Sequence, residues 1–418
     1  MRAVLTAPQA PQLAAAFKRS SVFSIPGAQA RPVGVAWTMF GNSVALLSET
    51  DAVLTLQRLI LSSDASASAD CTTLMSGLAA DALNSLIAPP IAGRVGTALV
   101  TDRQLQFFPH PEARMPTTPQ RRGWPSGNER IRAAALSPSA DIYLAVAENG
   151  GPVTIRDQTG EQLAEIEEIR AEPNCALGMA VQGRRGDTTA YVWGGGTLAW
   201  CRIEGGTSVV NKISLPELPK TPLFWRDRLV GPHAQPVAWH SWRDATCGVY
   251  PMLLEDSGRR VMGALILGEG SPSLARYCEG VPTAVVSGAK SALLVVDDSS
   301  LRVFHPRTGA LVARRQEKLS PSTLFVGLSS GDFLSLSLNS VDTVLFGAWR
   351  TRDSELIKAF EVELRADGGQ GAPLQLAPEL GPHETDDGLA VIMLEGAGGS
   401  LHTRLWCERN AFFSQGAS

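Results

Sequence analysis

The sequence predicts an all-β fold, a β-propeller of seven blades with eight as the alternative, on three observations. The first is a passage that occurs twice, LSPSADIYLAVAENGGPVTIRDQTGEQLA from Leu136 and VSGAKSALLVVDDSSLRVFHPRTGALVA from Val286. Ser137 matches Ser287, Leu144 matches Leu294 and Val146 matches Val296. With one residue of slip, Ile155 matches Phe304, Thr159-Gly160 matches Thr308-Gly309 and Ala164 matches Ala313. Each copy reads as four short strands cut by polar, acidic and Thr-Gly turns, which is the antiparallel unit of a blade. The second observation is the spacing of 149 to 150 residues, which fits three blades of roughly 50 residues each. The third is a strand signal at each end of the chain. SVFSIP, Ser20 to Pro26, has no partner of its own, and the C-terminal strands lack an outer one. Joining them closes a ring and removes unpaired sheet edges.

The elements follow in order. Blade one runs from Val33 to about Ser62, with strands ending at Trp37 and spanning 43–47 and 53–59, cut by Gly41-Asn42 and Asp51. SSDASASAD, 62–70, opens a low-complexity surface loop over 62–80. Blade two spans 80–112, clearest in GRVGTALVTDRQLQFFP. The Pro-, Gly- and Arg-rich stretch 115–130 reads as an exposed loop. Blade three, 131–169, is the first copy; its end, EQLAEIEEIRAE, has helical composition, but the blade context demands a fourth strand. Blade four, 174–215, pairs strands around Gly194-Gly195-Gly196. Blade five covers 235–279, blade six is the second copy at 280–316, and blade seven is 320–366. A loop at 367–387 precedes strands at 388–394 and 400–407. The whole chain, 1–418, thus reads as one domain: a tail at 1–19, then the propeller at 20–413.

Composition bounds the function. The 418 residues are 44% hydrophobic and 19% charged, with a net charge of −4, so no basic excess marks a direct nucleic-acid binder. The six cysteines, at 71, 175, 201, 247, 278 and 407, form no C-x-x-C pair and predict reduced thiols in an intracellular protein. No apolar run is long enough for a membrane helix. Residues 1–48 contain no acid but carry Arg2, Lys18, Arg19 and Arg31, a pattern compatible with mitochondrial import; the structural alternative is a propeller strand at 20–26.

Chemical motifs are weak. GLSSG, Gly327 to Gly331, has the spacing of a nucleophile elbow, but FLSLSL after it alternates as a strand where an elbow needs a helix. The six His residues show no ligand spacing, and Asp297-Asp298 and Asp386-Asp387 read as turn acids. We therefore expect no catalytic, cofactor or metal site. Candidate partner-binding residues are Arg121, Arg122 and Trp124 in the 115–130 loop and Trp225 in a Pro-flanked segment, because guanidinium groups and exposed indoles anchor interfaces. Trp349-Arg350-Thr351-Arg352 forms a similar group, with stacking or cross-strand pairing as its structural reading. Trp37, Trp193 and Trp200 are expected in blade cores.

Arg156-Asp157 stands where a Trp-Asp pair ends a blade strand, and in this the chain resembles the WD-repeat family. SGAKSALLVVDDS, Ser287 to Ser299, and VLFGAWRTRDSELIKAFEVEL, Val344 to Leu364, resemble in order two passages of the aladin family of WD-repeat nucleoporins. That resemblance spans roughly 80 residues of the chain and carries no functional residue across. It implies a non-catalytic scaffold at the nuclear pore, held near the membrane through a transmembrane partner. Two other readings stand beside it: a mitochondrial assembly or ribosome-associated propeller, and an enzyme with a central-channel site. The inner strands GVAWTM, AAALS and TAVVS bring no acid, base or nucleophile to such a channel.

Overall fold

The computed structural model describes residues 4–5, 17–24, 31–37, 43–50, 53–60, 70–79, 91–92, 96–100, 105–109, 131–136, 142–147, 151–157, 161–169, 178–184, 187–204, 207–218, 248–268, 271–288, 292–320, 323–327, 331–338, 343–365, 374–376, 383–384, 388–395, 401–408 and 413–414. The fold is all-β, with no helix among these residues. The chain divides into two compact units, one of Met1–Val35, Phe40–Leu78 and Pro282–Ser418, the other of Ala36–Met39 and Ala79–Val281.

In the second unit, the first copy of the repeat forms a four-stranded antiparallel sheet of Ile131–Leu136, Ile142–Ala147, Val153–Asp157 and Gln162–Ile166. The expected fourth strand is there: Ala164 and Ile166 are buried on either side of the half-buried Glu165, and the strand ladders with the third from Val153↔Ile166 to Arg156↔Gln162. Next comes a sheet of Gly178–Arg184, Asp187–Gly194, Thr197–Glu204 and Thr207–Ser214. Its central hairpin turns at Gly195 and Gly196, both at positive φ (58° and 80°), where a two-residue turn favours glycine. Gly178 is required for another reason: a Cβ there would lie 2.1 Å from the Trp193 indole, which lies across the first strand. A three-stranded sheet of Gly248–Asp256, Arg259–Leu267 and Ser273–Glu279 follows in the region expected as blade five. The region expected as blade two likewise shows three strands, Ile91–Ala92, Gly96–Val100 and Leu105–Pro109.

Apolar clusters join these sheets within the unit. Val153, Ile155, Ala164 and Ile166 pack with Val181, Ala190, Val192, Ala199 and Cys201 of the next sheet. Trp193 and Leu198 pack with Tyr250, Leu254 and Leu265 of the one after, with Trp193 and Tyr250 tilted at 5.6 Å between ring centroids. Each fully buried aliphatic side chain contributes about 2 kcal/mol to holding adjacent sheets together.

In the first unit, the strand near the N terminus joins the C-terminal sheet. Phe17–Ser24 pairs antiparallel with Leu401–Glu408, from Phe17↔Cys407 to Ser24↔Leu401, and Leu401–Glu408 pairs with Gly388–Glu395. Val4–Leu5 also pairs with Phe413–Ser414. The boundary expected at residue 19 is thus corrected, because the Phe17-Lys18-Arg19 backbone is already in the ladder. Two expected loops are corrected as well. Asp70–Ala79 is a ten-residue strand within 62–80, because CTTLM restores β-forming residues after the Ser/Ala run. Leu374–Leu376 and His383–Glu384 pair with Gly388–Glu395 inside 367–387. The 115–130 loop lies outside the described residues. Strands Arg31–Trp37, Ser43–Thr50 and Val53–Ile60 fall in the region expected as blade one, and Asp70–Ala79, beyond its expected end, adds a fourth strand to their sheet.

The second copy of the repeat forms Ala284–Gly288, Ala292–Asp297, Ser300–Phe304 and Leu311–Gln316. The register refines the alignment of the copies. Ile155 pairs with Leu144 and Ala164, whereas Val303 pairs with Leu294 and Ala313, so Val303 rather than Phe304 takes the place of Ile155. The cause is a second-to-third-strand connection two residues shorter in the second copy: six residues separate Val146 from Val153, and four separate the equivalent Val296 from Leu301. Each fourth strand carries a bulge just before its buried alanine, at Leu163 in one and Val312 in the other.

Blades six and seven, expected as separate sheets, are joined. Leu324–Gly327, Phe333–Leu338, Thr343–Arg352 and Glu355–Arg365 form the seventh, and a parallel bridge Arg314↔Glu355 links the two into one eight-stranded sheet.

Candidate interaction surface

The four residues singled out for partner binding, Arg121, Arg122, Trp124 and Trp225, lie outside the described residues, as does Asp386-Asp387. The other sequence candidates resolve into structural roles. Gly331 has φ +91° and Phe333–Leu338 after it is a strand, so GLSSG lacks the helix that a nucleophile elbow requires. Asp297 pairs with Arg302 and accepts a bond from Ser300 Oγ at 3.1 Å; Asp298 accepts one from Thr283 Oγ1 at 3.1 Å. Arg350 approaches Asp332 across the strands at 3.8 Å, as expected, whereas Arg352 meets only its chain neighbour Asp353, at 3.4 Å. Trp193 is core and Trp200 packs partly buried beside it. Among the described residues no three His, Cys, Asp or Glu groups gather at metal-binding distance. Burial pushes the Cys201 thiol up, and Glu168 adds to the shift, which is the opposite of an activated nucleophile.

What the sequence did not reveal is a charged joint within the eight-stranded sheet. Trp349, on Thr343–Arg352, is 1% exposed, and its indole N–H donates to Ser335 Oγ at 2.8 Å on the adjacent strand. Lys358 Nζ lies 4.9 Å from the centre of its rings, and the Arg315 guanidinium lies 5.5 Å away, reaching across from the second repeat copy. Two cations on one indole need a counter-charge, which Glu317 supplies. Its carboxylate accepts from Arg315 Nε at 2.8 Å and from Lys358 Nζ at 2.9 Å. Lys358 also pairs with Glu361. Burial alone pushes the Glu317 carboxyl up, but the bonds from Arg315 and Lys358 outweigh it and hold the group below its ordinary value. For Lys358, burial favours the neutral amine, and bonding to Glu361 and Glu317 reverses this to a net upward shift. Both Glu317 and Lys358 are thereby favoured in their charged forms.

Beside the joint lies an open cleft of 740 Å³ lined by Arg314, Arg315, Gln316, Asp353, Ser354, Glu355 and Leu356. Its lining mixes both signs of charge and includes the Asp353-Ser354 turn, where both residues adopt positive φ (50° and 66°). A shallow cleft of this kind suits contact with a polar protein surface better than enclosure of a small substrate. The one hint of the joint in the sequence was the indole beside two arginines at 349–352; the partners that stack on Trp349 are other residues, distant along the chain or across the hairpin.

No family model and no curated protein matches the chain. Solved structures do resemble it. BamB from Moraxella catarrhalis is 10% identical over 93% of this chain and 99% of that one, with a TM-score of 0.43. The WD40 domain of SCAP from fission yeast is 11% identical over 94% and 91%, with a TM-score of 0.41. The β-propeller domain of Cps50 from Myceliophteria thermophila is 12% identical over 93% and 99%, with a TM-score of 0.36. At these TM-scores the likenesses carry no argument about function.

Proposed function

We propose that the chain is a non-enzymatic β-propeller scaffold that holds protein partners within a larger assembly. The observation that supports this reading most is the succession of antiparallel sheets, each made from consecutive strands, together with the Phe17–Ser24 strand that completes the C-terminal sheet. Repeated sheets give a rigid body whose loops vary without unfolding the strands, which suits several simultaneous partners. The mixed-sign cleft beside Trp349 is one such surface, and Arg121, Arg122, Trp124 and Trp225 are candidate anchors on others.

An intracellular setting at the nuclear pore, with membrane attachment through a partner, rests on the two aladin-like passages. The second, Val344–Leu364, contains Trp349 and Lys358 of the joint. The mitochondrial alternative rests on the acid-free first 48 residues. Affinity purification from native extract, with mass spectrometry of the stoichiometric partners, tests the scaffold reading. Stable co-purification at fixed ratio is expected, whereas a monodisperse free chain overturns it. Sequencing the mature N terminus separates the two settings: cleavage before about Val33 favours import.

A further inference from the structure

The geometry points to Ser354 as a phosphorylation site whose phosphate fastens the turn at 353–354 to the outer strand Leu311–Gln316. The first observation is a backbone conformation that the sequence does not demand. Three two-residue hairpin turns among the described residues are left-handed: Gly195-Gly196, Ser257-Gly258 and Asp353-Ser354. The first two place glycine second, at φ 80°, where a side chain is strained. The third places Ser354 there, at φ 66°. The same dipeptide, Asp298-Ser299, closes the Asp297↔Ser300 hairpin with neither residue at positive φ. Asp-Ser therefore turns a strand without left-handed backbone, and at 353–354 the strain is kept together with the hydroxyl. Strain of this kind concentrates at functional sites.

The second observation is what surrounds that hydroxyl. Ser354 is exposed and lines the open cleft with Arg314 and Arg315 of the facing strand. The strands meet at Arg314↔Glu355, one residue from Ser354. The Cα atoms of Ser354 and Arg314 are thus at most about 9 Å apart, a span that a phosphoserine and an arginine bridge end to end. Arg314 has no acidic partner among the described residues, and Arg315 uses only Nε on Glu317. Asp353 is already matched by Arg352 at 3.4 Å, which leaves Glu355 as the lining acid that opposes a phosphate. Phosphoserine brings close to two negative charges and three strong acceptors, enough for Arg314 and the free end of Arg315 together. In the transfer, Ser354 Oγ attacks the γ-phosphorus of a nucleoside triphosphate held by a protein kinase. The Oγ–P bond forms, the P–O bond to the nucleoside diphosphate breaks, and the hydroxyl proton passes to the kinase's base. The fastening is internal to the chain and needs no partner of the scaffold, so either reading can fail alone.

Two measurements test it. Phosphopeptide mass spectrometry of the chain purified from its own cells, with phosphatases inhibited, is expected to find phosphate on Ser354. Its absence there in growing and stressed cells alike overturns the assignment. The full chain carrying phosphoserine at 354, incorporated during translation, is then compared with the unmodified chain by hydrogen–deuterium exchange. Exchange across Leu311–Gln316 is expected to slow about fivefold on phosphorylation. Arg314→Ala is expected to remove most of that protection, and Glu355→Gln to enlarge it. In the unmodified chain both variants are expected to exchange within about twofold of wild type, since both side chains are exposed. Protection that survives intact in Arg314→Ala, or that never develops in the wild type, overturns the fastening.

Discussion

The two repeat copies build the same four strands and then attach them to the next sheet in opposite ways. In the alignment that sets Ala164 on Ala313, Ile166 occupies the place of Arg315. Ile166 is fully buried in an apolar cluster that includes Val181, Ala190, Val192, Ala199 and Cys201 of the next sheet. Arg315 instead lies over a large partner, Trp349, with Glu317 and Lys358 completing the charge balance. An aliphatic joint takes an aliphatic side chain and excludes water; a joint built on an indole leaves a partly open rim that a guanidinium fills. The comparison teaches that the repeat encodes the sheet, while the residue just past the buried alanine, together with its neighbour's third strand, encodes how sheets meet.

Exchanging the joints should break them unequally. Ile166→Arg puts a charge without a counter-ion into an apolar cluster and is expected to cost about 4 kcal/mol, read from the midpoint of urea unfolding. Trp349→Ala should cost almost as much, about 3 to 4 kcal/mol, because it empties a buried site and takes the indole N–H from Ser335 Oγ. The reciprocal exchange, Arg315→Ile, is expected to cost about 1 kcal/mol or less, since its rim is partly solvated and Glu317 keeps Lys358. Equal losses from the two exchanges would erase the distinction between the joints.

Acid sharpens it further. Glu317 is held below its ordinary value in the folded chain, so its contribution is complete above the unfolded value and disappears as pH falls through the native one. Glu317→Gln is expected to flatten that acid limb, with a loss of about 1 kcal/mol at neutral pH. The same titration of an Ile166→Val variant should keep the wild-type slope, because nothing at that apolar contact titrates in this range.

Much of the fold was legible because period-two alternation and turn residues are local. LLVVDDSSLRVF can be nothing but a hairpin, and EQLAEI betrayed its strand only through the blade that required it. Asp70–Ala79 was hidden because the Ser/Ala run before it carries no turn signal that says where the strand begins. The joint at Trp349 was not legible, because Arg315 and Lys358 are ordinary charges in sequence and become stacking partners only when two outer strands meet at Arg314↔Glu355. The Val303 register was missed because a two-residue difference in turn length looks the same as a substitution until the ladder is drawn.

The propeller scaffold proposed for this chain depends on strands from its two ends completing one sheet. Hydrogen–deuterium exchange of the native protein tests that directly. Peptides covering Phe17–Ser24 and Leu401–Glu408 should be protected alike and lose protection together on mild destabilisation. Exchange of 17–24 at the rate of a free peptide, while 401–408 stays protected, would contradict the account.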